Sequence, residues 1–247
     1  MERTTVVAGG FASYAEQYGL IAALLQEHYG SPFMGANFSS VLRSPEQFAC
    51  AIHESPVIAH SGGSFAVKRA MEYGAVPTSL SLIAPSIPEK VRNLIWRGAL
   101  IQLNNPAEPE QLEEKVTSFS SLIEMKRHPV SNARAIPQLA RFSSLYFALS
   151  AQRRGVDVSV CFMDFDGLFD LGAADAGLIE DLRRAGVALR AIHGTHSRFT
   201  ANPVETLKAF SSAPEITTPI PTLDPAVSFR RAIVPTLGSL AARLKVT

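Results

Sequence analysis

The residues with most chemistry to offer are one serine set among small neighbours and two short clusters of Asp and His. In "SPVIAHSGGSFAVKRAMEYG", residues 55–74, an apolar run from Val57 to Ala59 leads straight into His60-Ser61-Gly62-Gly63. A helical pattern follows to about Tyr73, with Gly74 as its stop. A serine hydroxyl is a poor nucleophile until a base takes its proton. A tight strand–turn–helix connection would hold such a hydroxyl out above a sheet edge. The crowded turn asks for small residues two before and two after the serine, and Ala59 and Gly63 meet that demand. The following helix would aim its amino end at a developing oxyanion, with the Gly62 N–H placed to donate. A second N–H must come from another loop. "AGGFAS", residues 8–13, offers Phe11, with Gly10 beside it.

A base and an orienting acid are needed next. "VDVSVCFMDFDGLFD", residues 156–170, puts Asp164 and Asp166 just past the end of an expected strand, and "ALRAIHGTHSRFTANPVETLKAF", residues 188–210, does the same for His193 and His196. In an open parallel sheet all carboxyl ends of strands lie on one edge, where ligands bind. Serine, aspartates and histidines would therefore converge, although far apart in sequence. Asp164 is the rival acid to Asp166, placed earlier and toward solvent. His193 is the rival base to His196, or a structural histidine that caps strand-end backbone groups. His193 and His196 do not suggest a metal, because zinc wants three or four protein ligands and no other His or Cys is near in sequence. "AGGFAS" lacks G-x-G-x-x-G and no GK[ST] follows, so no phosphate-bearing cofactor is expected.

The elements that must position these groups are legible as alternating strands and helices. Strands are expected at 4–8, 32–38, 56–60, 79–86, 156–163 and 187–192. The first helix reads as starting with a capping box, Ser13 with Glu16, and Ile21, Leu24, Leu25 and His28 fall on one helical face. Ser44 before Pro45, and Asn202 before Pro203 with Glu205, mark two more helix starts. "LIEDLRRAG" is a helix between the last two strands. Strands apolar on both faces that alternate with helices predict an α/β fold, a mostly parallel sheet covered on both sides. From about Ile87 to Val130 no strand is signalled; helical patterns predict an insertion whose Leu94, Ile95, Trp96 and Leu100 form a small core of their own. From Ala213 the composition changes to a Pro-rich tail ending in a short helical pattern that contains Pro235.

A chain of 247 residues is long enough to bury a large core without staples. Its net charge of +1 gives no reason to expect nucleic acid or an anionic membrane as partner. No apolar run approaches the ~20 residues of a membrane span, and "MERTTVVAGG" has no secretory pattern. Cys50 and Cys161, far apart, read as two buried thiols of a cytoplasmic protein.

These residues resemble the α/β-hydrolase superfamily over about residues 4–211. "AHSGG" resembles its elbow, usually G-H-S-x-G, with Ala59 in place of the first glycine. The order Ser61, Asp166, His196 is similar to its order of nucleophile, acid and base. "VDVSVCFMDFDGLFD" resembles its acid-bearing strand and "AIHGTHSRFTANPVETLKAF" its histidine loop. "VVAGGFASYAEQYGLIAALL" resembles its oxyanion loop, where Gly9-Gly10 replace the usual His-Gly and Phe11 takes the donor position. The resemblance implies a reduced fold of about six strands, beginning at what would be the third. The core would span 1–86 and 135–212 and a helical cap 87–134, with Trp96 lining an acyl pocket. The tail, 213–247, has no counterpart; it would cover an edge or make a homo-oligomer contact. The implied activity is cofactor-free hydrolysis of a small carboxylic ester. Thioesters, lactones and amides stay open, as do a lyase or cofactor-free peroxidase on the same triad and a silent ligand-binding or protein-binding member.

Overall fold

Six short strands, alternating with helices, pair in parallel throughout: β1 (Thr5–Ala8), β2 (Phe33–Ala36), β3 (Pro56–His60), β4 (Ser79–Ile83), β5 (Asp157–Phe165) and β6 (Ala188–Thr195). The computed structural model describes residues 3–11, 13, 16–88, 112, 115–116, 123–126, 129–166 and 176–216. The sheet order is β2-β1-β3-β4-β5-β6. After β1 the chain steps outward to β2, then returns to the other side of β1 as β3. The order reverses there, and the loops leaving β1 and β3 splay apart at the carboxyl edge. That is where the Phe11 loop and Ser61 lie.

Alternation along each strand sorts the core into two layers. Val6, Ala8, Val57, Ala59, Leu80, Leu82, Val158 and Val160 face α2 (Phe38–Arg43), α3 (Pro45–Ile52), α4 (Gly63–Met71), α6 (Ser144–Arg153) and α7 (Ala176–Arg184). Val7, Ile58, Ile83, Cys161, Met163 and Ile192 face the other side, against α1 (Gln17–Tyr29), α8 (Arg198–Ala201) and α9 (Pro203–Ser212). α5 (Pro129–Arg141) precedes α6. Such two-sided burial is what makes these strands apolar at consecutive positions. Among the described residues no helix is long and apolar enough to cross a membrane.

Several expectations are corrected in detail. α1 starts at Gln17 with Glu16 as N-cap and no side-chain cap, so Ser13 and Glu16 form no capping box. Ser13 is instead buried in the loop, its N–H on the Gly10 carbonyl at 3.4 Å. The inner face of α1 is Tyr18, Ile21, Ala22 and Leu25, and Leu24 is half exposed. Ser44 and Asn202 sit at helix starts and accept there through their backbone carbonyls, from Phe48 N–H and Thr206 N–H, rather than through a side-chain cap. Cys50 is exposed, because α3 turns Phe48, Ala49 and Ile52 inward and its next position outward; Cys161 is buried. A further helix, α2, begins at the end of the expected second strand, and Asn37 caps it by accepting the Ser40 N–H at 2.7 Å. The expected cap with Trp96 and the tail beyond Ile216 lie largely outside the described residues.

Candidate active site

His60 closes β3 opposite Ile83, and the next residue, Ser61, turns the chain with φ 51°. For a residue with a side chain this left-handed conformation costs about 1–3 kcal/mol and persists only where surroundings impose it. They do: the Ser61 N–H donates to the Ile83 carbonyl at 2.9 Å, and α4 begins two residues later. α4 presses directly on β1, since a Cβ on Gly63 would stand 2.4 Å from the Ala8 carbonyl oxygen. Only glycine permits that approach, which is the physical content of the small-residue rule around the serine.

Ser61 Oγ lies 2.8 Å from His196 Nε2, and His196 Nδ1 lies 2.8 Å from Asp166 Oδ2. All three side chains are buried. A carboxylate only accepts, so Nδ1 carries the hydrogen and Nε2 is left to accept from the serine hydroxyl. Asp166 follows β5 and His196 follows β6. The β5–β6 register slips between Met163 and Phe165, an irregularity of the kind that re-aims side chains at sheet ends.

Asp164 and His193 lie inside β5 and β6 rather than past their ends. They pair with each other, His193 Nδ1 to Asp164 Oδ2 at 3.0 Å. Asp164 Oδ1 also accepts the Gly194 N–H at 2.8 Å, and the Arg198 guanidinium donates to the His193 carbonyl. The His193 ring is more than half exposed. This second pair braces the strand end that delivers His196.

Phe11 N is 3.0 Å, and Phe11 Cβ 3.2 Å, from where a Cβ on Gly62 would stand. The Phe11 and Gly62 backbones thus meet beside Ser61 at the amino end of α4. A Cβ on Gly10 would be 3.3 Å from Ser61 Cβ, so this loop lies against the serine. Leu139 of α5 closes on the same spot, its Cδ2 3.4 Å from the Gly62 position. No local pattern marks Leu139 in the sequence. Trp96 lies outside the described residues. Among the described residues no cluster of three His, Cys, Asp or Glu could hold a metal. Burial pushes the Cys161 thiol up to about 12, so it is held as an inert thiol.

Beneath the serine lies a buried pair that the sequence hid. His60 Nδ1 meets Tyr18 Oη at 2.7 Å, and His60 Nε2 meets the His196 carbonyl oxygen at 2.9 Å. Burial first, and the neighbouring His196 second, hold the His60 imidazole down to about 3 from its ordinary 6.5. Between those two values the unfolded chain binds a proton that the folded chain refuses. This contribution to stability is therefore present in full above pH 6.5 and is lost as pH falls toward 3, by up to about 1.4 kcal/mol per pH unit. Urea midpoints at pH 7, 6 and 5 should fall more steeply for wild type than for His60→Gln, which has no such titration. Parallel slopes would show that His60 does not govern the acid limb.

No protein-family model matches the chain, and comparison with curated proteins gives no match. Solved structures similar to it include an α/β-hydrolase enzyme from a lagoon-sediment metagenome of Mar Chica, Morocco: 11% identical, TM-score 0.44, over 85% of this chain and 90% of that one. A proline iminopeptidase-related protein from Thermus thermophilus is 14% identical, TM-score 0.45, over 94% and 91%. A hypothetical protein of Pseudomonas aeruginosa is 15% identical, TM-score 0.46, over 85% of this chain and 89% of that one. At these identities and scores the likeness says nothing of activity, and the fold stands on the chain's own strand order and turn geometry. The parallel order β2-β1-β3-β4-β5-β6, the strained serine turn after β3, and the aspartate and histidine that follow β5 and β6 make this an α/β-hydrolase fold.

Proposed function

We propose that the chain is a serine hydrolase that cleaves a small carboxylic ester through an acyl-enzyme. The observation that carries the reading is the unbroken hydrogen-bonded line Ser61–His196–Asp166, at 2.8 Å in both steps, with Ser61 held at positive φ. His196 Nε2 takes the Ser61 proton as Oγ attacks the ester carbonyl. The Phe11 and Gly62 N–H groups receive the oxyanion. Asp166 fixes the His196 tautomer and stabilises the imidazolium. The imidazolium returns its proton to the leaving alkoxide as the C–O bond breaks. Water, deprotonated by His196, then cleaves the acyl-serine to the acid and regenerates the hydroxyl. On this proposal, selection of the acyl group falls to residues 87–134, Trp96 among them, and no cofactor is involved.

A fluorophosphonate probe read by intact mass tests this. Wild type should gain one label and Ser61→Ala none. A folded wild type that stays unlabelled, or a labelled Ser61→Ala, would sink the proposal.

A further inference from the structure

Tyr18 and His60 form a directed line across the floor of the site. The Gly10 N–H donates to Tyr18 Oη at 3.0 Å, Tyr18 Oη meets His60 Nδ1 at 2.7 Å, and His60 Nε2 meets the His196 carbonyl at 2.9 Å. Each direction is forced. A carbonyl only accepts, so His60 Nε2 carries the hydrogen. In the neutral ring Nδ1 must then accept, so the Tyr18 hydroxyl donates to it and takes the Gly10 N–H on a lone pair. Tyr18 is 1% exposed and His60 4%, so water cannot replace a lost partner cheaply.

Both side chains are fixed by their surroundings. The Tyr18 ring lies where a Cβ on Gly9 would reach within 2.6 Å, and its backbone oxygen runs so close to Gly35 of β2 that no Cβ fits there. The His60 ring packs 5.3 Å from the His196 ring and 5.5 Å from the Phe199 ring. One end of the line is the residue before Phe11, and the other is the backbone of His196 itself.

We infer that Tyr18 and His60 are positioning residues, a buried strut that sets the distance between the Gly10–Phe11 loop and the His196 loop across Ser61. The effect on rate rests on the hydrolase reading; the mechanical coupling does not. Neither residue touches the substrate. Both act by keeping the oxyanion donor and the base in register, and a misplacement of about 1 Å at such groups can cost about 100-fold.

The test pairs backbone NMR with the second-order rate of fluorophosphonate labelling in wild type, Tyr18→Phe, His60→Leu and His60→Gln. The Phe11 and His196 amides should both move in Tyr18→Phe and in His60→Leu, although each substitution lies nearer one end. Labelling should slow about 10- to 100-fold, and on a hydrolysed ester the loss should fall in kcat with KM little changed. His60→Gln, whose amide oxygen and nitrogen can stand in for the two ring nitrogens, should regain the rate to within about threefold. Shifts confined to the substituted end, or labelling at the wild-type rate in His60→Leu, would overturn the strut. If Tyr18→Phe does not fold, the contrast between His60→Leu and His60→Gln decides alone. A folded wild type that takes no label while both amides still move together would remove the hydrolase reading and leave the strut standing.

Discussion

Ester turnover should fall about 10⁶-fold in His196→Ala and about 10⁴-fold in Asp166→Asn, the losses that triads of this kind suffer on removal of the base or corruption of its orienting acid. The reasons differ. Without His196 the acceptor bonded to Ser61 Oγ is gone, and an alcohol that keeps its proton cannot attack an ester at a useful rate. With Asn at 166 the ring keeps its neighbour but loses its direction. The amide N–H₂ faces Nδ1, the hydrogen moves to Nε2, and Nε2 then points a donor at the serine instead of a lone pair. Steady-state hydrolysis of a p-nitrophenyl ester measures both. Asp164→Asn is the control, expected within about tenfold of wild type because Asp164 reaches the site only by bracing Gly194 and His193. The reverse pattern, with Asp164→Asn the more damaging, would transfer the acid's role to Asp164.

Gly63→Ala should cost about 3 kcal/mol, at the upper end of what overpacking usually costs, because the added methyl meets main chain rather than a side chain that can swing away. The obstacle is the Ala8 carbonyl, 2.4 Å away, with the Gly9 carbonyl at 2.9 Å. Relief requires α4 to lift from β1, which also removes Gly62 from beside Phe11. For a chain of this size the melting temperature should drop by about 6–12 °C. Gly62→Ala separates the two effects. Its methyl would meet Phe11 N at 3.0 Å and Leu139 Cδ2 at 3.4 Å, so the fold should hold while turnover drops by about tenfold or more. A Gly63→Ala protein melting within about 2 °C of wild type would mean that α4 is not clamped on β1.

Most of the frame could be read because two-sided burial leaves a strong trace. β3 occupies the expected residues 56–60, and the other strands lie within or near their apolar runs. The serine turn was legible through Ala59 and Gly63, where the demand is steric and local. Less legible was anything decided by a partner from another element. Leu24 and Ala22 both suit a helical stripe, and hydropathy favours leucine, but the sheet takes the face centred on Tyr18. Ser13 and Glu16 have the spacing of a cap, yet Ser13 is drawn into the loop beneath Gly9. β5 and β6 run longer than their apolar segments because Asp164 and His193 satisfy each other, which carries polar residues into the strand ends. The Tyr18–His60 line carries no sequence signal, since a hydrogen-bonded line spanning positions 10, 18, 60 and 196 leaves no periodic mark.

The division of the site among strands has a kinetic meaning. Ser61 belongs to the half of the sheet that ends at β4, whereas its base and acid arrive with β5 and β6, and residues 84–156 must close as a loop before β5 can pair with β4. Long-range parallel pairing of this sort is slow, because chain entropy is lost before contacts repay it. A refolding chain that has assembled only β1 to β4 would carry its serine turn without reactivity. The return of phosphonate labelling after dilution from denaturant would therefore time the docking of the last two strands, and a chain still emerging from the ribosome would stay inert until residue 196 had been made and seated.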